Sequence, residues 1–425
     1  MMTEEEALRM IHGLPRFHDG AGLERIRRLL RYLDNPQKRL RFIHVAGTNG
    51  KGSTCAMTAS ILQAAGYRTG LYISPYILNF RERMQVNGTM IPPETLGRLA
   101  ERLRPEVNAM TAENGAPAEF ELVTAIAMEW FAEMKCDVVV LEVGLGGRLD
   151  ATNAIDTPLA SVICTIDLDH TELLGHTREA IAVEKCGIIK PDGRTVCYPQ
   201  PASVRAVIEQ IARDRHNRFI MADPTEARVH SVSLNGTEMT FRGAAYHLPL
   251  LGMHQVCNAV TVLTMLDLLR QEGRLILSDE ALQRGLAETT FPARLEIMGH
   301  HPTVLLDGAH NPSGVAALCA AIRQYLNGGP RIAVIGMLRD KDYADAIQPL
   351  IGLFSNMNTL TPDSPRALDA ATLAQTIRER GGRAVPYYDA SAAIEEAKRM
   401  AGSDGSVTVC GSLYLAAQLR PLLKL

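Results

Sequence analysis

Residues 41–58 read RFIHVAGTNGKGSTCAMT, and this stretch decides the fold. An apolar run over 42–46 is followed by a glycine-rich segment and then by small and apolar residues up to Gly66. We predict a strand over 41–46 and a helix over Ser53–Ala65, with Gly66 just past the helix end. The order strand, glycine-rich loop and helix is typical of a phosphate-binding unit.

The segment between this strand and this helix predicts nucleotide binding. Glycines let backbone N–H groups approach phosphate oxygens, and the helix N-terminus favours anions. The pattern departs from the strict Walker motif, because Val45 stands at its first glycine and Gly52 separates Lys51 from the hydroxyl. A glycine-rich turn in an unrelated βα unit is the alternative. The candidate nucleotide-binding residues here are Gly47, Thr48, Asn49, Gly50, Lys51, Gly52 and Ser53.

Further apolar strand patterns alternate with helical ones on both sides of this loop. Near-continuous apolar runs such as 137–142 and 159–166 indicate strands buried on both faces of a parallel sheet. Alternation over 232–239 around Asn235-Gly236 predicts a hairpin, and βα alternation restarts after 291–294. We predict an α/β protein with an N-terminal P-loop ATPase domain (1–292) and a smaller C-terminal Rossmann-like domain (298–425).

Composition excludes several classes of protein. A length of 425 residues favours two or three domains, and a net charge of −3 disfavours a general nucleic-acid binder. The apolar runs are too short to span a bilayer, and the acidic start MMTEEEALRM has no signal-peptide pattern. The eight cysteines include no CxxC pair, so we expect reduced thiols and a cytoplasmic protein. From the net charge and the short apolar runs we expect no nucleic-acid or membrane partner.

Polar residues follow the ends of three predicted strands. They are Ser74 after TGLYI, Glu142 after DVVVL, and Asp167, Asp169 and His170 after ASVICTI. Ligands of open parallel sheets bind at the carboxyl ends of strands, so these groups predict a Mg²⁺ site shared with nucleotide phosphates. Alternatively, Ser74 caps a turn, Glu142 pairs with Arg148, and His170 is an ordinary loop histidine.

Lys185 lies near the end of a predicted helix over 178–186. Thr177 is the expected N-cap, and Gly187 follows the helix end. On the residues alone, a lysine stabilised by the helix dipole is the favoured interpretation.

Several blocks of the chain resemble the folylpolyglutamate synthase/dihydrofolate synthase family of Mur-type ATP-dependent amide ligases. They are HVAGTNGKGST, LYISPYILNFRERMQVNG, LEVGLGGRLDATN, TIDLDHTELLGHT, AVEKCGIIK, GMHQVCNA, DGAHNPSG and GMLRDKD, in this order along nearly the whole chain. The resemblance implies two domains with the active site in the cleft between them. Tyr76 and Ala293 depart from it, since the family usually has histidine and glycine at these positions.

The resemblance also implies residue roles. It implies catalytic roles for Lys51, His170 and Lys185, with Lys185 carbamylated, and places the block GMLRDKD at the glutamate site. The implied metal ligands are Ser53, Ser74, Glu142, His170 and Lys185. The implied further nucleotide-binding residues are Asn258, Arg294, Asp307 and His310. The implied pterin-site residues are Gly22, Leu23, Phe120, Glu121, Leu149, Asp150 and Ala151.

The implied reaction joins L-glutamate to a folate carboxylate through an acyl phosphate made from ATP with two Mg²⁺ ions. We expect a monomer that acts on dihydropteroate and on reduced folates. A monofunctional folylpolyglutamate synthase is the nearest alternative. A cell-wall Mur ligase is more distant, because only about forty residues precede the loop. A non-catalytic nucleotide switch would need the loop but not the Lys185 block.

Overall fold

The structure is a computed structural model that describes residues 2–16, 22–339 and 343–423. The chain divides into two compact units. The first comprises Met1–Arg228, Phe241–Tyr246 and Cys257–Thr289, and the second comprises Val229–Thr240, His247–Val256 and Thr290–Leu425. The predicted domain limits, 1–292 and 298–425, stay a prediction.

The first unit contains an eight-stranded sheet with the order β4-β3-β2-β5-β1-β6-β7-β8. Its strands are β1 (Phe42–Ala46), β2 (Thr69–Tyr72), β3 (Met84–Val86), β4 (Thr89–Met90), β5 (Val138–Glu142), β6 (Ala160–Ile163), β7 (Arg194–Cys197) and β8 (Arg218–Met221). All neighbours are parallel except β2-β3 and β3-β4, which are antiparallel. The predicted parallel sheet is confirmed, with β1 at its centre beside β5 and β6.

The helices on this sheet cover it on both faces. They are α1 (Glu4–His12), α2 (Glu24–Tyr32), α3 (Lys51–Ala64), α4 (Pro93–Ala112), α5 (Glu119–Glu133), α6 (Thr171–Leu174), α7 (Arg178–Lys185), α8 (Ala202–Asp214), α9 (Met253–Gln271) and α10 (Asp279–Ala287). One core cluster joins α1, α2, α4 and α5 through side chains such as Ile26, Leu99 and Ile126. Completely buried strands explain why β1 and β5 are apolar throughout apart from His44 and Glu142.

A separate three-stranded antiparallel sheet confirms the predicted hairpin. Its strands are β9 (Ala227–Ser233), β10 (Gly236–Phe241) and β11 (Ala244–Leu248), in the order β11-β10-β9. Gly236 begins β10 with φ 126°, and a Cβ there would lie 2.5 Å from the carbonyl oxygen of Leu248. Only glycine fits this combination of backbone angle and close approach.

The second unit contains a six-stranded sheet with the order β12-β13-β17-β14-β15-β16. Its strands are β12 (Glu296–His300), β13 (Thr303–Leu306), β14 (Arg331–Ile335), β15 (Asn356–Thr359), β16 (Ala384–Pro386) and β17 (Ser406–Cys410). Its helices are α11 (Pro312–Tyr325), α12 (Tyr343–Ile351), α13 (Ala370–Glu379), α14 (Ala390–Ala401) and α15 (Leu413–Leu423). Only β12 is antiparallel to its neighbour, so the predicted Rossmann-like alternation is confirmed.

One strand of this sheet lies where the apolar pattern did not place it. The apolar pattern predicts a strand only at 359–360, whereas β15 begins at the buried Asn356. The Asn356 amide donates to Asn358 Oδ1 at 2.8 Å, and the Asn358 amide donates to the Ala393 carbonyl at 3.0 Å. These hydrogen bonds make a polar strand tolerable inside the unit.

None of the helices in the described ranges combines the length and apolar character that a bilayer span requires.

Candidate active site

The glycine-rich loop joins the end of β1 directly to the start of α3. Gly50 is the N-cap of α3 with φ 83°, and α3 begins at Lys51 rather than at the predicted Ser53. A Cβ on Gly47 would lie 2.6 Å from the Cβ of Cys164 in the segment after β6. Glycine is therefore required at 47 for close packing and at 50 for backbone conformation.

This loop is fixed to the segment that follows β6. The Thr48 amide donates to the Thr165 carbonyl at 2.7 Å, and the Thr48 hydroxyl donates to the Asp167 carbonyl at 3.0 Å. The amide of Asp167 donates back to the Thr48 hydroxyl at 3.1 Å. The Asn49 amide also donates to the Thr165 hydroxyl at 3.3 Å. The loop is thus held in one conformation before any ligand binds, which is what tight anion binding needs.

Three further side chains of the predicted nucleotide set lie at this loop. The Lys51 ammonium donates to the Thr48 carbonyl at 3.2 Å, and Ser53 is buried in the first turn of α3. Asn258 on α9 is buried beside the loop, because a Cβ on Gly50 would lie 2.8 Å from its Oδ1. The structure therefore brings Asn258 to the loop from a distant part of the sequence.

Ser74 and Glu142 lie together at the ends of neighbouring strands. The Ser74 amide donates to Glu142 Oε2 at 3.1 Å, and Glu142 is paired in register with Val45 of β1. The alternative prediction that Glu142 pairs with Arg148 is wrong, because the Arg148 guanidinium pairs with Glu184 at 2.8 Å. Glu142 is 4% exposed, so its carboxylate is held at the end of the sheet near the glycine-rich loop.

Lys185 is a buried residue and not an ordinary helix-end lysine. Its ammonium nitrogen donates to the Gly47 carbonyl at 2.9 Å. Burial, with a smaller contribution from the charge of Lys51, lowers the pKa of Lys185 to about 7. Thr177 caps α7 as predicted, because its side chain accepts a hydrogen bond from the Ala180 amide. Lys185 is therefore not the ordinary helix-end lysine that the residues alone favoured, and it is in direct contact with the glycine-rich loop.

His170 differs from these groups in its exposure. It precedes α6 with φ 50°, its side chain is 46% exposed, and its Nε2 lies 3.9 Å from Asp169 Oδ1. Burial lowers the pKa of Lys185 and the charge of Asp169 partly opposes this shift, so the segment that carries His170 lies near Lys185. In the described part of the chain, no three or more histidine, cysteine, aspartate and glutamate side chains gather into a metal-binding group.

The predicted pterin residues lie mainly on two segments, α5 and the loop after β5. The Phe120 ring packs against Gly144, where a Cβ would lie 2.6 Å from it. Glu121 accepts hydrogen bonds from the Ala118 amide at 2.8 Å and from Arg25 Nε at 3.0 Å. Both bonds end on Oε2 of Glu121; the first caps the N-terminus of α5 and the second joins α5 to α2. Gly22 and Leu23 precede α2 on the same unit, and Leu23 packs on the core.

Asp150 is the anchor of the loop after β5. Its carboxylate accepts from the Leu145 amide at 2.9 Å and from the Thr152 amide at 3.0 Å, and burial raises its pKa. Leu149 is 37% exposed whereas Ala151 is buried. The Thr152 hydroxyl contacts His44 Nε2 at 2.9 Å. Sequence reasoning missed His44 and Thr152, although a histidine inside an apolar strand was a visible signal.

This loop also packs directly on the helix end that carries Lys185. The Arg148 amide donates to the Glu184 carbonyl at 2.8 Å. A Cβ on Gly147 would lie 2.8 Å from the Lys185 carbonyl oxygen, and one on Gly187 would lie 2.2 Å from the Arg148 Cα. The glycines of the GLGGRLD and EKCG blocks thus allow the two segments to touch.

The remaining predicted nucleotide residues belong to the second unit. The Asp307 carboxylate accepts from the amides of Leu295 at 2.9 Å and Ala309 at 2.8 Å. Burial raises the pKa of Asp307, and the charge of Arg294 opposes this shift. His310 Nδ1 lies 2.9 Å from the Gly308 carbonyl. In the block GMLRDKD, residues 336–339 are described, whereas Asp340, Lys341 and Asp342 lie outside the described residues.

Ala293 adopts the left-handed conformation that the glycine of related chains suggested. Its φ is 54°, and Leu295 has φ 51°. Tyr76, the other departure, packs its ring 5.7 Å from that of Phe80 and under the Arg83 guanidinium at 5.2 Å. Tyr76 thus takes part in an aromatic and cationic cluster, while Ala293 carries backbone strain.

Comparison with protein-family models gives two matches. Residues 45–266 match the Mur ligase middle domain, and residues 293–413 match the Mur ligase, glutamate ligase domain. The first match spans the glycine-rich loop, Glu142, Lys185 and Asn258. The second spans Arg294, Asp307 and His310.

Individual proteins are similar over the whole chain. The dihydrofolate synthase/folylpolyglutamate synthase of Bacillus subtilis is 37% identical over 430 residues, covering 99% of each chain. A Mycobacterium tuberculosis folylpolyglutamate synthase complexed with ADP and AMPPCP has a TM-score of 0.89 at 31% identity, covering 99% of both chains. Escherichia coli FolC in complex with DHPP and ADP has a TM-score of 0.86 at 30% identity, covering 99% of this chain and 97% of that one.

Proposed function

This chain belongs to the dihydrofolate synthase/folylpolyglutamate synthase family of Mur ligases, and we propose that it joins L-glutamate to dihydropteroate and to reduced folates. It is an ATP-dependent acid–amino-acid ligase. The observation that carries the proposal is the hydrogen bond from Lys185 to the Gly47 carbonyl, which joins a buried lysine of low pKa to a nucleotide loop.

The nucleotide loop supports a role in phosphoryl transfer. The N-terminus of α3 offers hydrogen-bond donors for phosphate oxygens and Lys51 adds a positive charge, while the Thr48 and Asn49 amides hold the loop through Thr165. In this proposal the γ-phosphoryl group passes to the substrate carboxylate, and the acyl phosphate is then attacked by the amine of L-glutamate. Phosphate leaves as the amide bond forms, so no covalent enzyme intermediate is needed.

The donor chemistry at the strand ends fits Mg²⁺. Ser53, Ser74 and Glu142 would offer two hydroxyls and one carboxylate, and Mg²⁺ keeps several waters and takes further oxygens from phosphates. His170 and Lys185 are proposed to serve a second ion. Bound Mg²⁺ would supply charge neutralisation between the carboxylate and the phosphates. Meanwhile the chain holds Glu142 in place through the Ser74 amide.

Carbamylation of Lys185 has a physical basis in its burial. A lysine of pKa about 7 is half neutral near neutral pH, and only the neutral amine adds to CO₂. The ammonium first loses one proton; addition of the neutral amine to CO₂ then forms an N–C bond, opens one C=O π bond and releases a second proton, so that a cation becomes an anionic oxygen ligand. A buried ammonium beside Mg²⁺ would be repelled, whereas the carbamate would be attracted.

The bifunctional assignment rests on named relatives. The Bacillus subtilis and Escherichia coli relatives are named dihydrofolate synthase/folylpolyglutamate synthase, while the Lacticaseibacillus casei relative is named folylpolyglutamate synthase alone. A monofunctional enzyme is therefore the second candidate. These relatives do not support the cell-wall ligase or the non-catalytic switch.

The test is ADP formation that requires both L-glutamate and a pteridine acceptor. Dihydropteroate and tetrahydrofolate are offered separately, with acceptor-free and glutamate-free reactions as controls. Turnover of both acceptors supports the bifunctional enzyme, and turnover of tetrahydrofolate alone supports the monofunctional one. A folded protein that binds ADP but turns over neither acceptor would overturn the proposal.

We also propose that the chain is a cytoplasmic monomer. All eight cysteines are free thiols, seven of them buried, as expected in a reducing compartment. Light scattering during size-exclusion chromatography tests the oligomeric state directly. A stable dimer would contradict the monomer.

A further inference from the structure

His44 is the only ring on β1 that carries nitrogen, and it lies in the middle of the central strand of the first unit. The side chain is completely buried, and burial lowers its pKa to about 3. Its neighbours in register on the adjacent strands are Leu141 and Ser161. Burying a neutral histidine in such a place costs free energy, because both ring nitrogens lose their hydrogen bonds to water. We therefore expect at least one of the two nitrogens to have a function.

The nitrogen that has a partner contacts the loop after β5. His44 Nε2 lies 2.9 Å from the Thr152 hydroxyl, and that hydroxyl lies 2.5 Å from Asp150 Oδ1. His44 Nδ1 is buried and has no hydrogen-bond partner among the described residues. The three side chains therefore form a single row from the central strand to the Asp150 carboxylate.

The direction of the hydrogen bonds follows from the acceptors. Backbone amides of Leu145 and Thr152 already donate to the two carboxylate oxygens of Asp150. The hydroxyl proton of Thr152 is directed to the same carboxylate, so the hydroxyl oxygen must accept from His44. His44 is therefore neutral with its proton on Nε2, and every bond in the row ends on Asp150. Each donated bond favours the ionised form of Asp150 against the burial that raises its pKa.

We propose that His44 is a positioning residue that holds the Leu149–Ala151 segment in the orientation required by the pterin-bearing substrate. Residue 44 lies three positions before Gly47 on the same chain segment. The strand that ends in the nucleotide loop therefore also sets the position of the substrate loop. The inference rests on the proposed function, since Leu149–Ala151 is a proposed pterin segment.

The experiment compares His44→Gln with His44→Met. The glutamine amide can donate to Thr152 from nearly the position of Nε2, whereas methionine fills similar volume without a donor. For His44→Met we expect the KM for tetrahydrofolate to rise about fivefold, the scale of one neutral hydrogen bond, with the KM for ATP within about twofold of wild type. His44→Gln should lie close to wild type.

A second readout does not depend on turnover. Hydrogen exchange at the amides of Leu145 and Thr152 should quicken in His44→Met and remain at the wild-type rate in His44→Gln. Thr152→Val removes the hydroxyl that contacts His44 without altering the strand. Thr152→Ser, which keeps a hydroxyl, is its matched control. This pair of variants tests the proposal if His44→Met does not fold. The folate KM and the amide exchange rates should rise in Thr152→Val and stay close to wild type in Thr152→Ser.

Several results would overturn the proposal. They are an unchanged folate KM with unchanged exchange in a folded His44→Met protein, equal impairment of the Gln and Met variants, and equal increases in the folate and ATP KM values. If the wild-type protein turns over no folate, the proposed function fails. The exchange rates still decide whether His44 holds the loop.

Discussion

Two buried aspartates, Asp150 in the first unit and Asp307 in the second, hold their loops in the same way. Each carboxylate accepts two backbone amides, and burial raises the pKa of each. The difference lies in what offsets the buried charge. Arg294 provides a positive charge near Asp307, whereas Asp150 receives a neutral row of hydroxyl and imidazole donors.

The same contrast extends to the lysine beside the first loop. Lys185 is buried with Lys51 nearby, and its pKa is lowered. The first unit therefore holds a buried lysine beside a second cation, as is common at functional sites, whereas in the second unit the charge of Arg294 partly offsets the burial of Asp307. Buried ionisable side chains of the same type can therefore lie either in a reactive site or in a purely structural setting.

The largest effect is expected at Lys185. Lys185→Met should lower kcat at least about a hundredfold, the scale of losing one group that stabilises developing charge. It should also raise the free energy of unfolding at pH 7 by on the order of a few kcal/mol, because a buried lysine is replaced by a neutral chain. Steady-state kinetics in bicarbonate-containing buffer measure kcat, and denaturant unfolding in CO₂-free buffer measures the stability of the unmodified protein.

The stability of the wild-type protein depends on pH through the protonation of Lys185. The folded-state pKa of Lys185 is about 7 and the ordinary value is 10.5, so between these values the unfolded chain binds the extra proton. Wild-type stability should therefore rise with pH over this window, and the advantage of Lys185→Met should fade towards pH 10. A variant that is less stable than wild type at pH 7 would break the comparison.

Replacing Arg294 should lower the free energy of unfolding, the opposite of the effect expected at Lys185. Arg294→Met removes the charge that opposes the raised pKa of Asp307, so the free energy of unfolding should fall by about 2 kcal/mol at pH 7. The folded-state pKa of Asp307 should rise further, so the loss should shrink as pH falls towards the ordinary value of 3.8, because protonation removes the buried charge that Arg294 offsets. Urea unfolding at pH 7 and pH 4 checks it. A loss that is the same at both pH values would remove Arg294 as the counter-charge.

A smaller and selective effect is expected at Glu142. Glu142→Gln should raise the Mg²⁺ concentration for half-maximal activity by about tenfold, because an anionic oxygen becomes a neutral one. Glu129→Gln is the matched control, since it also neutralises one buried carboxylate, the partner of Arg102, but should leave the Mg²⁺ titration unchanged. Equal shifts in the two variants would mean that general charge, not metal ligation, is measured.

The smallest effect is expected at Ala293. Ala293→Gly should raise the free energy of unfolding by about 0.5 kcal/mol, because the strain of a left-handed alanine exceeds the extra chain entropy that glycine loses. Ala392→Gly in the exposed part of α14 should instead lower it by about 1 kcal/mol. Chemical denaturation of both variants tests the strain. Equal losses would show that the positive φ costs nothing.

Several parts of the fold followed from the pattern of residues. The runs 137–142 and 159–166 became β5 and β6, and the hairpin around Asn235-Gly236 became β9 and β10. Short strands such as β7 and the polar β15 did not follow, because four residues carry too little periodicity and buried asparagines resemble a loop. The apolar pattern predicts a buried helix over 124–134, whereas α5 begins at Glu119, where Glu121 caps it through the Ala118 amide.

For the candidate site, residue types were predictable and their environments were not. The loop composition alone indicated close backbone approach, which Gly47 and Gly50 require. Lys185 looked like a surface lysine, because helix-end position is visible in a sequence and burial is not. His44 was recognisable in the sequence as the one histidine in an apolar strand, but its partner Thr152 lies far along the chain.

The sequence by itself determined the strand–loop–helix unit, the alternation that makes a parallel sheet, and the family to which the chain belongs. These depend on periodicity, on turn chemistry and on local motifs, all of which act between near neighbours. Only the tertiary structure decided that Glu142 receives the Ser74 amide, that Lys185 reaches the Gly47 carbonyl, and that Asp150 terminates a row from His44. Desolvation and hydrogen-bond direction depend on which distant segments meet, and these two effects set the charge of each group.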